Sequence, residues 1–227
     1  MTYQTVLVTG ATKGIGRALV IHLCQRGYRV FASGRDSEAL EQLKMETGCA
    51  GQSFDLSRPE QVLKLYQQAR QELGQIDVLV NNAGMNSRKC AVADTTLEEF
   101  ELQYAVNLRA PYLLCREAVR EMQARQQGYI INVISTVAKR SSETMGVYTA
   151  MKQGLAGLNN VLVKEAQPHG IKVTGVYPGG TNTTFRAQER PQYMSPESVA
   201  VMIGQLLTNP QDVVVHDLTF RPMVELE

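Results

Sequence analysis

A chain of 227 residues with 44% hydrophobic residues is long enough to bury an extended sheet between helices, and one domain spanning residues 1–227 is predicted. The formal net charge is only +1, which argues against binding to nucleic acid or to an anionic membrane. No apolar run approaches the roughly 20 residues that span a bilayer, and the first residues lack the features of a secretory leader. A cytoplasmic protein is therefore expected.

Cysteines and histidines do not cluster in the sequence. They stand at scattered positions without a Cys-x-x-Cys pair: Cys24, Cys49, Cys90, Cys115, His22, His169 and His216. This spacing fits neither a metal site nor a small disulfide framework. We expect reduced thiols and no bound metal.

Short apolar runs alternate with stretches in which apolar residues recur every three to four positions. The runs predicted to be buried strands are 5–8, 28–32, 76–80, 129–134, 171–176 and 213–215. The stretches with helical spacing include 18–24, 62–73, 100–122 and 155–163. Strands that alternate with helices predict a doubly wound α/β fold with a mainly parallel sheet and helices on both faces.

The first predicted strand runs into a glycine-rich turn, Thr9-Gly10-Ala11-Thr12-Lys13-Gly14-Ile15-Gly16, that opens the first helix. Glycines let the main chain approach a pyrophosphate, whose charge is favoured by the unpaired amides at a helix start. The G-x-x-x-G-x-G spacing differs from the commoner G-x-G-x-x-G pattern, and a purely structural connection is the alternative. The position at the first strand-to-helix junction favours a dinucleotide site.

The end of the second strand bears on which dinucleotide binds. An acidic residue there accepts hydrogen bonds from the ribose of NAD, whereas an arginine favours the 2′-phosphate of NADP. The sequence reads Ser33-Gly34-Arg35-Asp36, which puts Arg35 beside the ribose and leaves Asp36 to cap the next helix. With Lys13 as a second cation, NADP(H) is predicted. Two solvated surface charges are the alternative, and an error of one residue in the strand end would favour NAD.

Tyr148 and Lys152 are four residues apart, so they share one face if the segment is helical. A free phenol has a pKa of about 10, and a nearby ammonium lowers that pKa because it stabilises the phenolate. The pair suits general acid and base chemistry on an alcohol. By itself the Y-x-x-x-K pattern is frequent and usually structural.

Five signals follow one another along the chain: TGATKGIG, Asn81-Asn82-Ala83-Gly84, Ser135, Tyr148-x-x-x-Lys152 and Pro178-Gly179. In this order they resemble the short-chain dehydrogenase/reductase family over nearly the whole chain. The resemblance implies a Rossmann fold with a seven-stranded sheet, whose third strand precedes Asp55. It also implies an NADP(H)-dependent oxidoreductase that interconverts a carbonyl compound and an alcohol, assembled as a homodimer or homotetramer. Apolar residues on several faces of the stretches 100–122 and 146–163 fit such an assembly, and burial within one subunit is the alternative.

Four catalytic residues are implied by the resemblance. Tyr148 would exchange a proton with the reacting oxygen, and Ser135 would hydrogen-bond that oxygen. Lys152 would favour the phenolate and hold the nicotinamide ribose. Asn107, in the helical stretch before the fifth strand, resembles the asparagine that supports a water relay to the lysine, and a residue that caps or bends a buried helix is compatible with that role.

The resemblance also implies three sets of cofactor contacts. The first lies at the phosphates, the adjoining ribose and the 2′-phosphate: Gly10, Thr12, Lys13, Gly14, Ile15, Gly16 and Arg35. The second flanks the adenine and the stretch towards the ribose: Asp55, Leu56, Asn82, Ala83 and Gly84. The third holds the nicotinamide end: Tyr148, Lys152, Pro178, Gly179, Thr181 and Thr183.

Three positions depart from the family pattern: Ile134 before the serine, Met151 before the lysine, and Tyr177 before the Pro-Gly pair. They leave the shape and polarity of the substrate pocket open, and Thr136 is a possible surrogate hydroxyl. The polar stretch 179–196 after the sixth strand is predicted to be a substrate loop, with a plain connector as the alternative.

Two other protein classes compete with the oxidoreductase. A catalytically silent NADP(H)-binding regulator would need the fold but not the four catalytic side chains, all of which are present. Nucleotide-sugar epimerases bind similar cofactors, but their extra substrate domain needs a longer chain. The sequence therefore favours a reductase with a small-molecule substrate.

Overall fold

The computed structural model describes residues 3–185 and 188–225. Its strands are β1 (Thr5–Thr9), β2 (Arg29–Ser33), β3 (Ala50–Gly51), β4 (Val78–Asn81), β5 (Gly128–Val133), β6 (Ile171–Pro178) and β7 (Asp217–Phe220). They form one sheet in the order β3-β2-β1-β4-β5-β6-β7, and every neighbouring pair is parallel. The predicted doubly wound α/β fold with seven strands is confirmed.

Seven α-helices connect and cover these strands in the described residues. They are α1 (Gly14–Gln25), α2 (Ser37–Thr47), α3 (Pro59–Leu73), α4 (Leu97–Tyr104), α5 (Ala110–Arg125), α6 (Gly146–Ala166) and α7 (Pro196–Gln205). As predicted, Asp36 caps α2, because its carboxylate accepts a hydrogen bond from the amide of Ala39 at 3.0 Å. None of the helices described is both long and apolar enough to cross a membrane.

The core lies on both faces of the sheet. Alternate side chains of a strand point to opposite faces, so Val6 and Val8 of β1 pack with α1, α2 and α7, while Leu7 packs with α3 and α5. All five residues of β1 are buried. Continuous apolar runs are typical of parallel strands that are covered on both faces, which explains why β1 is so evident in the sequence.

The last predicted strand, 213–215, is wrong, and β7 begins at Asp217 instead. In the structure Lys172 Nζ donates to the carbonyl of Val213 at 2.8 Å, and the Thr174 hydroxyl donates to the carbonyl of Val215. These carbonyls are therefore bonded to side chains of β6, not to its main chain. Main-chain pairing starts only at Gly175 with Asp217.

The predicted helical stretch 100–122 is also corrected. A π-helical turn, Ala105–Arg109, separates α4 from α5. Such turns insert one residue into the helical repeat and occur frequently at functional sites. Asn107 lies in the middle of this turn and is fully buried.

Candidate active site

A cleft of about 640 Å³ opens at the carboxyl ends of the central strands. The strand order changes direction between β1 and β4, because the chain adds β2 and β3 on one side and β5 to β7 on the other. Open α/β sheets bind ligands at such a switch point. The cleft extends from the glycine turn before α1 to the loops that follow β5 and β6.

The glycine turn lies directly against the loop after β4. Gly10 has a φ of +65°, and a Cβ atom there would lie 2.8 Å from Ala83 Cα. A Cβ atom on Gly16 would lie 2.2 Å from the carbonyl oxygen of Gly10. Both contacts involve main-chain atoms, so the turn tolerates no side chain at either position.

Thr9 and Asn82 lock this turn in place. The Thr9 hydroxyl accepts hydrogen bonds from the amides of Asn82 and Ala83 at 3.1 and 3.0 Å, and Thr9 is buried. The Asn82 side-chain amide donates to the carbonyls of Thr9 and Gly10 at 2.9 and 3.2 Å. Asn82 lines the cleft, as predicted for a contact residue, but its amide shapes the glycine turn. The sequence analysis assigned Thr9 no role. Its position at the carboxyl end of β1 was the feature that could have marked it as a site residue.

The start of α1 suits an anion. Its N-cap residue, Lys13, makes no side-chain capping hydrogen bond, so no side chain of that residue satisfies the first amides. Lys13 is exposed and lines the cleft together with Thr12, Gly14 and Ile15. Unpaired amides and a nearby ammonium are the groups that a pyrophosphate requires.

Arg35 lines the same cleft two residues after the end of β2 at Ser33, and so does the next residue, Asp36. The Arg35 side chain is exposed, and the neighbouring Asp36 carboxylate accepts the Ala39 amide as the cap of α2. Gly34 packs against Thr12, since a Cβ atom on Gly34 would lie 2.7 Å from the Thr12 hydroxyl oxygen. The segment after β2 therefore presents a cation, Arg35, and a carboxylate, Asp36, to the cleft beside the glycine turn.

Two of the predicted cofactor contacts, Gly16 and Asp55, and one predicted catalytic residue, Asn107, do not line the cleft. Asp55 is turned into its own loop, where its carboxylate accepts the amide and the hydroxyl of Ser57 at 3.0 and 2.8 Å. The hydrogen bond from the Ser57 amide is the main cause that holds the pKa of the Asp55 carboxyl below its usual range. Leu56, the next residue, does line the cleft.

Tyr148 and Lys152 lie one turn apart near the start of α6, and both line the cleft. Lys152 Nζ is 5.8 Å from the centroid of the Tyr148 ring and donates a hydrogen bond to the carbonyl of Val133 at 3.0 Å. Lys152 is only 2% exposed, and burial lowers the pKa of its ammonium from 10.5 to about 8. The ammonium form therefore still predominates at pH 7.

Gly84 makes room for this lysine. A Cβ atom on Gly84 would lie 3.3 Å from Lys152 Nζ and 3.1 Å from Asn107 Oδ1. The Asn107 amide donates to the carbonyls of Met85 and Gln103 at 2.8 and 3.0 Å, and its oxygen accepts the Met85 amide at 3.0 Å. Both N–H groups of Asn107 are thus used by the main chain, which fixes the loop after β4 behind the lysine.

Ser135 lies two residues after the end of β5 and lines the cleft. Its hydroxyl oxygen accepts a hydrogen bond from the Val137 amide at 3.2 Å, which begins a short 3-10 turn, Thr136–Ala138. Of the positions that depart from the family pattern, Ile134 lines the cleft, whereas the buried residues Met151 and Tyr177 do not. Thr136 lines the cleft as well.

The loop after β6 folds over the cleft. Pro178, Gly179, Thr181 and Thr183 all line it, and a Cβ atom on Gly14 would lie 3.2 Å from Thr183 Cγ2. The loop is tied at its base by a bridge between Thr181 and Met194. Residues 186 and 187 of the predicted loop 179–196 lie outside the described residues.

Phe185 brings this loop against the tyrosine. The ring centroids of Phe185 and Tyr148 are 5.7 Å apart, with the planes tilted by 49°. Aromatic pairs at this separation attract one another. The sequence offered no motif for Phe185.

Further cleft residues come from other loops and were not named individually in the sequence analysis, although Phe185 and Tyr193 lie in the predicted substrate loop 179–196. They include Met85, Lys89, Arg140, Ser142, Glu143, Thr144, Met145, Phe185, Tyr193 and Glu225. The loops that carry Lys89 and Glu143 are joined by a hydrogen bond from the Cys90 amide to the Thr144 carbonyl at 3.1 Å. For 140–145, the available signal was their position in the sequence between Ser135 and Tyr148.

The four cysteines all lie in the described residues and are free thiols. Burial raises the pKa of Cys115 to about 12. Within residues 3–185 and 188–225, no three His, Cys, Asp or Glu side chains are grouped so that they could hold a metal ion.

Comparisons with known proteins agree with this geometry. A family model described as short chain dehydrogenase matches residues 4–194. An uncharacterized oxidoreductase of Staphylococcus aureus (strain MRSA252) is 28% identical over 230 residues, which cover 98% of this chain and 99% of that protein.

Two solved structures are similar over almost their whole length. The closed form of a serine dehydrogenase complexed with NADP+ has a TM-score of 0.91 at 26% identity, and the match covers 99% of this chain and 97% of that chain. A metagenomic short-chain oxidoreductase in complex with NADP has a TM-score of 0.86 at 31% identity, with 98% of each chain covered.

Proposed function

Because this chain belongs to the short-chain dehydrogenase family of oxidoreductases, we propose that it interconverts a small carbonyl compound and an alcohol with NADP(H), with Tyr148 as the general acid and base. One observation carries the proposal. Tyr148, Lys152 and Ser135 line the same cleft as the glycine turn, at the end where the loops after β5 and β6 meet. A proton donor, a cation and a hydroxyl are thus available in the cleft that holds the anion site.

The residues of the cleft fit a nicotinamide dinucleotide. Gly10 and Gly16 leave the main chain bare where a pyrophosphate would approach, and the start of α1 has no side-chain cap from Lys13. Two similar solved structures contain NADP. When bound, the cofactor supplies or accepts the hydride.

In reduction, Tyr148 donates its phenolic proton to the substrate oxygen, and in oxidation it takes a proton from the alcohol. Lys152 stabilises the resulting phenolate, since its ammonium lies in a buried place where charge interactions are strong. Ser135 donates a hydrogen bond to the reacting oxygen and so favours the charge that develops there. Asn107 acts through position: it fixes the Met85 loop that packs behind Lys152.

NADP(H) is favoured over NAD(H) by the charges near the end of β2. Arg35 and Lys13 both line the cleft, and Asp36, which also lines it, uses its Oδ1 to accept the Ala39 amide as the cap of α2. A ribose 2′-phosphate is a dianion that an arginine binds through two parallel hydrogen bonds. NADP(H) would therefore bind more tightly than NAD(H).

The substrate would lie between the 140–145 loop and the loop after β6. Phe185 provides an aromatic wall beside Tyr148, and the loop 179–196 serves as the substrate loop. The proposed assembly is a homo-oligomer. It is supported by apolar side chains on α4 and α6, where Leu97 and Val161 are 69% and 53% exposed.

The test follows NADPH oxidation by the wild-type protein against ketones, aldehydes, quinones and 3-oxoacyl thioesters. Because a serine dehydrogenase is among the similar structures, serine is added in the direction of NADP+ reduction. We expect turnover with at least one of these classes and its loss in Tyr148→Phe. Tight NADPH binding without any turnover would support the rival function, a silent cofactor-binding regulator.

A further inference from the structure

The five residues 221–225, which we call the closing segment, follow β7 and return to the cleft. The Glu225 amide donates a hydrogen bond to the carbonyl of Pro222 at 3.0 Å, which closes a tight turn. Pro222 is buried, whereas Met223 and Val224 at the turn are exposed. The turn aims the side chain of Glu225 back at the loop after β6.

The Glu225 carboxylate binds that loop at its first residues. Gly180 N donates to Glu225 Oε1 at 3.0 Å, across 45 residues of sequence. The preceding amide, Gly179 N, donates to the carbonyl of Phe220 at 2.8 Å. Two successive amides of the loop are therefore held by β7 and the closing segment.

The fit between the carboxylate and the two glycines is close. A Cβ atom on Gly179 would lie 2.6 Å from Glu225 Oε2, and one on Gly180 would lie 2.6 Å from Glu225 Oε1. The carboxylate therefore rests directly on bare main chain, and glycine is needed at both positions for this contact. Glu225 also lines the cleft.

The other side of the loop is anchored separately. Met194 N donates to the carbonyl of Gly180 at 3.2 Å, and Asn182 N donates to the carbonyl of Met194 at 2.9 Å. Gly180 is thus held at its carbonyl by the far end of the loop and at its amide by Glu225. Loss of the carboxylate would free the Gly180 amide, while the Gly180 carbonyl would still accept the Met194 amide and the Gly179 carbonyl would still accept the Thr181 hydroxyl at 3.2 Å.

We propose that Glu225 is a positioning residue, which fixes the Gly179-Gly180 main chain so that the loop can hold the nicotinamide end of the cofactor. The inference rests on the proposed function, because it takes this loop as the nicotinamide side of the cleft. A hydrogen bond from an amide to a carboxylate is about twice as strong as one between neutral groups, which suits an acidic residue at this position.

The test compares three variants by direct binding. Glu225→Ala removes the acceptor, Glu225→Gln keeps a carbonyl oxygen that can accept the Gly180 amide, and Met223→Ala is the control because Met223 is 95% exposed in the same segment. Each is titrated with NADPH and with adenosine 2′,5′-bisphosphate, a fragment that lacks the nicotinamide half.

Glu225→Ala should weaken NADPH binding roughly tenfold, the effect of one lost charge-assisted hydrogen bond, and leave binding of the fragment within twofold. Glu225→Gln should restore NADPH binding to within about threefold of the wild type, since a neutral acceptor still makes the bond. Met223→Ala should match the wild type with both ligands. A merely structural role of Glu225 would weaken the fragment and NADPH by the same factor.

Hydrogen exchange in the cofactor-free protein gives a second readout. A peptide that covers Gly179 to Thr181 should exchange faster in Glu225→Ala than in Met223→Ala. Unchanged exchange, unchanged NADPH binding, or equal losses for both ligands would overturn the inference. A failure of the proposed function would instead be seen as absence of turnover in a protein whose binding and exchange respond as stated.

Discussion

The two ends of the cleft are built in different ways. At the proposed phosphate end, which is the glycine turn before α1, the main chain of one continuous turn is held by Thr9 and Asn82, which are buried or half-buried and bonded to it. At the proposed substrate end, beside Tyr148, the cleft is lined by side chains from distant segments, among them Phe185 and Glu225.

This difference explains why a sequence motif identifies the glycine turn but not the opposite end of the cleft. A glycine turn must have glycine where a Cβ atom would strike main chain, so its sequence is constrained at fixed spacing. A pocket wall that comes from loops far apart in the sequence has no such spacing. The phosphate end should therefore fail through strain and lost stability, and the substrate end through altered binding and rate.

The largest effect on stability is expected from Gly16→Ala. The new Cβ atom would lie 2.2 Å from the Gly10 carbonyl oxygen and 2.4 Å from Asn82 Nδ2, so the glycine turn must open. We expect a loss of about 4 kcal/mol in the free energy of unfolding, measured by urea denaturation. The control is Gly157→Ala in α6, where no atom lies within 4 Å of the added carbon.

Gly157→Ala should be neutral or stabilise the protein by about 0.5 kcal/mol, since glycine costs entropy inside a helix. Equal changes in the free energy of unfolding for the two substitutions would contradict the claim that the glycine turn has no room for a side chain at position 16.

The next largest effect on stability is expected at Lys152, and it depends on pH. Because burial lowers its pKa from 10.5 to about 8, the unfolded chain binds more protons than the folded chain between these values. The stability of the wild type should therefore rise with pH across this interval, relative to Lys152→Met. The total rise is at most about 3 kcal/mol, from 1.36 kcal/mol per pKa unit.

Urea denaturation at several pH values from 7 to about 10.5 measures this difference, and exposed Lys164 on the same helix supplies the control substitution, Lys164→Met. A stability difference between wild type and Lys152→Met that does not change with pH would rule out the buried, weakly basic ammonium.

Thr9→Val tests the hydrogen bonds that hold the glycine turn, and its expected effect on stability is smaller than that of Gly16→Ala. The methyl group has nearly the same shape as the hydroxyl, but it leaves the Ala83 amide without its acceptor and the Asn82 amide with the Val80 carbonyl alone, at 3.1 Å. We expect a loss of about 2 kcal/mol in the free energy of unfolding, because one half-buried donor becomes unpaired and a second loses one of its two acceptors. Thr9→Ser keeps the hydroxyl and should recover most of that loss; if it does not, the methyl packing matters more than the hydrogen bonds.

Arg35→Ala should have the smallest effect, and only on affinity. Arg35 is exposed at the rim of the cleft, so its removal should leave the fold intact. NADPH should bind about tenfold more weakly, or about 1.4 kcal/mol, with NADH affected by less than twofold. Titrations with both cofactors check this, and equal losses would remove Arg35 from the 2′-phosphate site.

The sequence was most informative where one element carries its own signal. Strands β1, β4, β5 and β6 are covered on both faces, so their apolar runs stand out, and Asp36 is followed at once by the helix that it caps. Strand β3 has two residues, too few for any pattern. Strand β7 is an edge strand in which no residue is fully buried, so its apolar signal is weaker than that of the adjacent run 213–215.

Site residues also divide into those marked by a local sequence pattern and those placed by contacts with distant segments. The spacing of Tyr148 and Lys152 predicted their common helix face, and both line the cleft. Asn107 could be found by its position, but the π-helical turn around it depends on packing with the loop after β4. Glu225 could not be found, because its partner Gly180 lies 45 residues away and belongs to another element.

The central claim is that Tyr148 exchanges the proton of the reacting oxygen. The most direct measurement is kcat of Tyr148→Phe with the best substrate of the panel, together with the dissociation constant of NADPH. We predict that kcat falls by at least about 100-fold, the typical contribution of a general acid or base, while NADPH binding stays within about threefold. A kcat within about threefold of the wild type, at unchanged NADPH binding, would contradict the account.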